Sequence, residues 1–181
     1  MMKKLLAVLL TTLLLMTACA WAEEAEPTVY TSGDWKYVLL EDGSAEIVDY
    51  NGKATRLTVP AEIDGIAVTS IGDRAFDYSS PTSITLPDSI TAIGDKVFYC
   101  CSSLTSITLP KFLASIGDEA FSYCSSLTII ALPESLTFLG KDTFKDCTLT
   151  LAIPRDSWLE QWCKENGLRY TYPDSLDWLL D

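Results

Sequence analysis

Residues 101–110 read CSSLTSITLP and residues 124–133 read CSSLTIIALP, so nearly the same stretch returns after 23 positions. The step is not confined to that pair. Prolines that close a short apolar run stand at Pro60, Pro87, Pro110, Pro133 and Pro154, and the middle three are 23 apart. The segments IGDRAF (71–76), IGDKVF (93–98), IGDEAF (116–121) and LGKDTF (139–144) follow at steps of 22, 23 and 23. Cys101, Cys124 and Cys147 keep the same spacing. A fixed period of this size is the signature of a solenoid. Each unit is too short to bury an apolar face alone, and a continuous core forms only when units stack.

One unit reads as follows. In LTSITLP, Leu104, Ile107 and Leu109 fit L-x-x-L-x-L. Thr105, Ile107 and Leu109 alternate with Ser106 and Thr108, which predicts a short strand with one buried face. Pro110 ends it, since proline cannot donate to a continuing ladder. KFLASIG supplies a second extended stretch with Leu113 and Ile116 inward, and Gly117 is expected to allow a tight turn. DEAFSYC is expected to form a helical turn with Asp118 as its N-cap and Ala120, Phe121 and Cys124 inward. Stacking then puts Phe76, Phe98, Phe121 and Phe144 in one aromatic spine. Ile84, Ile107, Ile130 and Leu151 form an aliphatic one.

The pattern LPxSxxxIGxxAFxxCxxLxxIxLP resembles the BspA-like leucine-rich repeat family of bacterial surface and secreted proteins. The likeness covers residues 55–154 and weakens at both ends, where DYSSPTSI and CTLTLAIP run short. It implies an α/β leucine-rich-repeat solenoid, strand-rich and right-handed, of about four to five coils of 22–23 residues. It also implies surface attachment, or binding of a host or neighbouring-cell protein, by an exported module that is not an enzyme.

The open ends of a solenoid need covers. Trp35 to Tyr50 alternates apolar and polar residues around Asp42-Gly43, which predicts a β-hairpin over the first coil. The expected order is a linker and hairpin cap (23–54), repeats (55–154) and a C-terminal cap (155–173). In that last cap, Ser157 with Glu160 makes a capping box, Asn166-Gly167 a helix stop, and RYTY a returning strand. Trp158, Leu159, Trp162 and Cys163 share one helix face. The tail DSLDWLLD (174–181) is acidic and apolar at once, fitted either to fold back on the cap or to serve as a hook.

Residues 1–22 read as a signal peptide. Lys3 and Lys4 precede an apolar run from Leu5 to Met16 that is too short for a mature membrane helix. Cleavage before Glu23 would follow Ala20-Trp21-Ala22. Alternatively, Met16-Thr17-Ala18-Cys19 resembles a lipobox, which would leave Cys19 lipidated and give the chain a membrane anchor. The chain carries 13 basic and 25 acidic residues, net −12. Without Lys3 and Lys4 the count is 11 against 25, net −14. Such a surface repels nucleic acid and anionic lipid.

The sequence has no histidine, which removes Ser-His-Asp triads, Cys-His dyads and His-based zinc sites. No phosphate-binding glycine loop is present, and no cofactor is implied. Cys101, Cys124 and Cys147 sit one coil apart. Stacked strands would hold their Cβ atoms about 4.8 Å apart, against ~3.8 Å in a disulfide. Buried free thiols are therefore expected, with Cys100 partly exposed and Cys163 on the helix. The outward strand positions are Arg56, Thr58, Ser83, Thr85, Ser106, Thr108, Ile129, Ala131, Thr150 and Ala152. They form the candidate face for a protein partner or an extended peptide; the alternative is a structural spacer or cell-envelope component with no dedicated ligand. Aromatic residues are assigned to coil cores and caps, which argues against sugar binding by stacking.

Overall fold

The computed structural model describes residues 27–173, and the two leader readings, Cys19 and the tail 174–181 lie outside that range. Three strands open the chain: β1 (Tyr30–Ser32), β2 (Trp35–Leu39) and β3 (Ala45–Tyr50). They form an antiparallel meander, so the predicted hairpin has a third strand in front of it. Two-residue to six-residue strands then alternate: β4 (Arg56–Thr58), β5 (Glu62–Ile63), β6 (Ile66–Ile71), β7 (Ser83–Thr85), β8 (Ala92–Ile93) and β9 (Ser106–Thr108). β10 (Ser115–Ile116), β11 (Ile129–Ala131), β12 (Phe138–Leu139) and β13 (Thr150–Ala152) continue the series. The helix α1 (Trp158–Glu165) and β14 (Arg169–Thr171) close it.

Successive coils place these strands on two walls. One wall runs β1-β2-β3-β6-β8-β10-β12, with β5 hairpinned onto β6 through Asp64 and Gly65, both at positive φ. The N-terminal meander therefore extends this sheet through parallel β3–β6 pairing instead of only covering its end. The other wall carries β4-β7-β9 and then β11-β13-β14 as two three-stranded parallel sheets. That second wall is six strands deep, because β14 adds a layer the sequence assigned to the cap. The coil number is thus about six, not four to five.

The core is the predicted pair of spines. Phe76, Phe98, Phe121 and Phe144 lie parallel, with centroids 5.5, 5.0 and 5.6 Å apart. Trp35 closes the first end edge-on to Phe76 at 6.3 Å, and Trp162 closes the other edge-on to Phe144 at 6.3 Å. Ile84, Ile107, Ile130 and Leu151 are buried beside them. Such offset and edge contacts add to the area removed from water. Thr105, expected inward, is exposed, and its Oγ1 donates to Thr82 O of the preceding coil at 2.9 Å.

The turns differ from the expected helical form. Glu119 and Tyr123 have φ of 52° and 62°, and their counterparts in the other coils repeat the pattern. Their N–H groups donate across coils: Glu119, Phe121 and Tyr123 reach the carbonyls of Lys141, Thr143 and Lys145 at 2.8–2.9 Å. A partner in the neighbouring coil replaces the partner a helix would supply. Asp118 is no N-cap, since its Oδ1 accepts Lys141 N–H at 2.6 Å. Gly117 is needed for close approach and not for its φ: a Cβ there would strike Asp95 Oδ1 and the backbone of Gly94 and Asp95.

At the C-terminal end the capping box does not form. Ser157 Oγ donates to Pro154 O at 2.7 Å, while Glu160 Oε1 accepts from Tyr172 OH at 2.8 Å. The helix stop is as predicted. Gly167, at φ 65°, donates to Lys164 O, and Leu168 N–H donates to Cys163 O at 2.9 Å. That is the Schellman arrangement. Leu159 and Cys163 are buried, but Trp158 is 42% exposed, held by Nε1 donating to Leu136 O at 2.9 Å.

Candidate interaction surface

The outward residues of the second wall fall into two rows set by parallel registry. Arg56, Ser83 and Ser106 face one another along the first, and Thr58, Thr85 and Thr108 along the second. After β9 the rows continue as Ile129, Thr150 and Arg169, and as Ala131, Ala152 and Thr171. The inner residue of each strand (Leu57, Ile84, Ile107, Ile130 and Leu151) is buried, which fixes its two neighbours on the open face.

Exposure separates the ten predicted positions. Arg56, Thr58, Thr85, Ser106, Thr108 and Ala131 are exposed, while Ser83, Ile129 and Thr150 are half-buried. Ala152 is a correction: it is 2% exposed. Its methyl group lies in registry between Ala131 and Thr171, and so small a side chain is screened by its neighbours.

Sequence reasoning missed the far end of these rows. Arg169 and Thr171 stand where Arg56 and Thr58 stand at the near end, so the first row begins and ends on an arginine. The signal was available: Arg56-Leu57-Thr58 and Arg169-Tyr170-Thr171 share one pattern. Arg169 is oriented by Nη2 donating to Thr148 O at 2.8 Å.

A second feature was also missed. Tyr78, Tyr99 and Tyr123 form an outer row on the turns, each tilted against the next at 5.7 and 5.4 Å. Tyr78 is 69% exposed and Tyr123 is 38% exposed. Aromatic side chains are thus not confined to cores and caps. Tyr99 lies one position earlier in its coil than the other two, which hid the row from the repeat. Lys96 Nζ lies 5.8 Å from the Tyr99 ring and pairs with Glu119 at 3.2 Å. The phenol of Tyr78 is pushed above its ordinary pKa, chiefly by the Cys100 thiol; Tyr99 is pushed up chiefly by burial.

The cysteines take the predicted structural role, except that Cys147, expected buried like Cys101 and Cys124, is half-buried. All five described cysteines are free. Cys101, Cys124 and Cys147 donate through Sγ to Phe76 O, Phe98 O and Phe121 O at 3.1, 3.1 and 3.0 Å. Each thiol thus ties its turn to the preceding coil, as a second donor to a carbonyl that already accepts the backbone N–H three residues on. Burial pushes all three above the ordinary thiol pKa. Among the described residues, no cluster of acidic or cysteine side chains has the geometry to hold a metal ion. No described helix is long and apolar enough to cross a membrane.

Comparison with known proteins returns the same architecture. Residues 50–158 match the family described as BspA type Leucine rich repeat region (6 copies). A leucine-rich repeat protein from Bacteroides capillosus is similar at 27% identity and a TM-score of 0.63, over 70% of this chain and 98% of that one. A leucine-rich cell surface protein from Faecalibacterium prausnitzii is similar at 28% identity and 0.58, over 72% of this chain and 44% of that one. A leucine-rich repeat protein from Bacteroides ovatus is similar at 26% identity and 0.60, over 81% of this chain and 42% of that one. No curated protein sequence matches.

Proposed function

Because the chain belongs to the BspA-type leucine-rich repeat family, we propose that it is an exported, non-enzymatic module that binds a host or neighbouring-cell surface protein. Binding runs through the outward rows of the second wall. The observation that carries this reading is the set of exposed hydroxyls of Thr58, Thr85, Ser106 and Thr108 at fixed registry, on rows whose ends carry Arg56 and Arg169. Short hydroxyl side chains lose little rotamer entropy on contact, and the two guanidinium groups supply anchors of the kind enriched at interfaces. A wall six strands deep, at about 4.8 Å per strand, is wide enough for a contact of about 800 Å² per partner. A cell surface protein of this repeat type from Faecalibacterium prausnitzii supports the location. Cleavage before Glu23 would release the module, and lipidation at Cys19 would tether it.

The test is a cross-linking pull-down from cell-surface extracts with two baits. One bait is the chain from Glu23; the other carries Ser106→Lys and Thr108→Glu, at exposed positions that leave the core intact. A protein captured only by the unmodified bait is the expected result. Equal capture by both baits removes the site from this wall, and capture by neither removes the interaction reading.

Carbohydrate binding is a second reading, favoured by the outer row Tyr78, Tyr99 and Tyr123, in which Tyr78 and Tyr123 are exposed. Ring faces at a surface stack on sugar C–H groups. Glycan-array signal abolished by Tyr78→Ala with Tyr123→Ala would establish it, and a blank array would dismiss it.

A further inference from the structure

The turn stack has a donor end that no described residue fills. In three successive turns the same alternate amides donate to carbonyls of the next coil. Arg74, Phe76 and Tyr78 reach Asp95, Val97 and Tyr99 at 2.8–3.0 Å. Lys96, Phe98 and Cys100 reach Asp118, Ala120 and Ser122 at 2.8–2.9 Å. Glu119, Phe121 and Tyr123 reach Lys141, Thr143 and Lys145 at 2.8–2.9 Å. The equivalent amides of the last turn belong to Asp142, Phe144 and Asp146, and these have no acceptor among the described residues. A cleft of about 260 Å³ lies over them, lined by Asp142, Lys145, Asp146, Trp162 and Asn166 among others. We propose that this edge is a docking site for an extended, basic segment of a partner protein, whose backbone carbonyls pair with those three amides.

The occupant follows from what each alternative would meet. A free anion would suit three N–H donors, but Asp142 and Asp146 carry carboxylates at the same place. A small apolar ligand needs a larger and more enclosed site, usually ~300–1,000 Å³. A second copy stacking a whole coil would need a ring against Phe144, and Trp162 already stands there at 6.3 Å. The first coil of such a copy is itself covered, with Trp35 and Tyr50 packed on Phe76. A single strand needs neither place. It adds to an edge through main-chain bonds, with side chains supplying selectivity. The pairing geometry is the one this chain makes with itself at every earlier turn. The exposed carboxylates of Asp142 and Asp146 outnumber the one ammonium that lines the cleft, that of Lys145, and select lysine or arginine on that segment. The indole of Trp162 offers a cation a ring to lie against.

The test is by ¹⁵N–¹H spectroscopy on the chain from Glu23, with the peptide acetyl-Lys-Ala-Lys-Ala-Lys-amide as probe. Without peptide, the amides of Asp142, Phe144 and Asp146 should exchange with solvent orders of magnitude faster than those of Glu119, Phe121 and Tyr123. With peptide, the first three should shift in a saturable way and the second three should not. Asp142→Asn with Asp146→Asn should weaken binding about fivefold, as for two surface ion pairs. Asparagine tolerates the φ of 54° and 56° at these positions, so the fold is kept. Slow exchange of the three amides in the free protein would overturn the proposal. So would shifts produced by sulfate or by the glutamate version of the peptide, which would mark an anion site. Shifts that depend on protein concentration alone would hand the edge to a second copy.

Discussion

The backbone N–H of Lys141 donates to Asp118 Oδ1 at 2.6 Å, so a side chain joins two coils where no strand runs. The same bond links Asp95 N–H to Asp73 Oδ1 and Asp118 N–H to Asp95 Oδ1, both at 2.7 Å. The series ends at Lys141, whose side chain has no acceptor to continue it. Asp118→Ala should therefore cost about 1 kcal/mol, the net worth of one hydrogen bond. Asp118→Asn keeps an oxygen in place and should recover most of that loss. Urea unfolding of the two variants checks this; equal losses would mean that charge, not the bond, is what matters.

The aromatic spine bears more of the stability. Phe121 is 0% exposed, with parallel rings 5.0 Å away on one side and 5.6 Å on the other. Phe121→Ala should cost about 3–5 kcal/mol, since the cavity is hemmed in by two rings that cannot both collapse into it. Denaturant unfolding at matched m-value is the measurement. A loss below about 1 kcal/mol would contradict the stacking.

Gly117 separates close approach from backbone freedom. Its φ is not in the left-handed region, so alanine could adopt the backbone without strain. A Cβ there meets the backbone of Gly94 and Asp95 in the preceding coil, which cannot rotate away. Gly117→Ala should cost about 1–3 kcal/mol by overpacking. Gly33 is the converse, with φ 59° and open space around a Cβ. Gly33→Ala should cost about 1 kcal/mol through backbone strain alone. Thermal unfolding of both variants, with a larger fall for Gly117→Ala, is the expected outcome.

The repeat made the stacking legible because each coil must present the same groups to the next. Phe76, Phe98, Phe121 and Phe144 could be aligned from spacing alone, and so could the three ladder cysteines. The turn could not, because left-handed φ at Glu119 and Tyr123 breaks the preference of ordinary residues and depends on carbonyls a coil away. Gly117 misled for the same reason: its role lies in Asp95, not in its own neighbours. On the candidate surface, strand alternation found the rows up to Thr150 and Ala152 but treated Arg169–Thr171 as cap. Only parallel pairing with β13 shows that the rows go on to Arg169 and Thr171. The outer tyrosines escaped because Tyr99 breaks register by one residue and still meets Tyr78 and Tyr123 in space.

The thiols supply a pH signature of known sign. Burial raises Cys163 from 9.0 to about 11 and raises Cys101, Cys124 and Cys147 as well. A thiol with a higher pKa folded than unfolded keeps its proton longer in the native state. Its contribution is complete below pH 9, the unfolded value, and is lost as pH climbs towards the folded one. Stability should therefore fall from about pH 9 upward, with the share of Cys163 lost by about pH 11, and be flat in this respect below pH 9. Cys163→Ala should shallow that fall, because one of the groups responsible is gone. Thiol labelling gives an independent reading. Cys100 is half-exposed and should react first in the native protein at pH 8, while Cys101, Cys124 and Cys163 react only as the chain opens. Uniform labelling of all five would show that the ladder thiols are not buried.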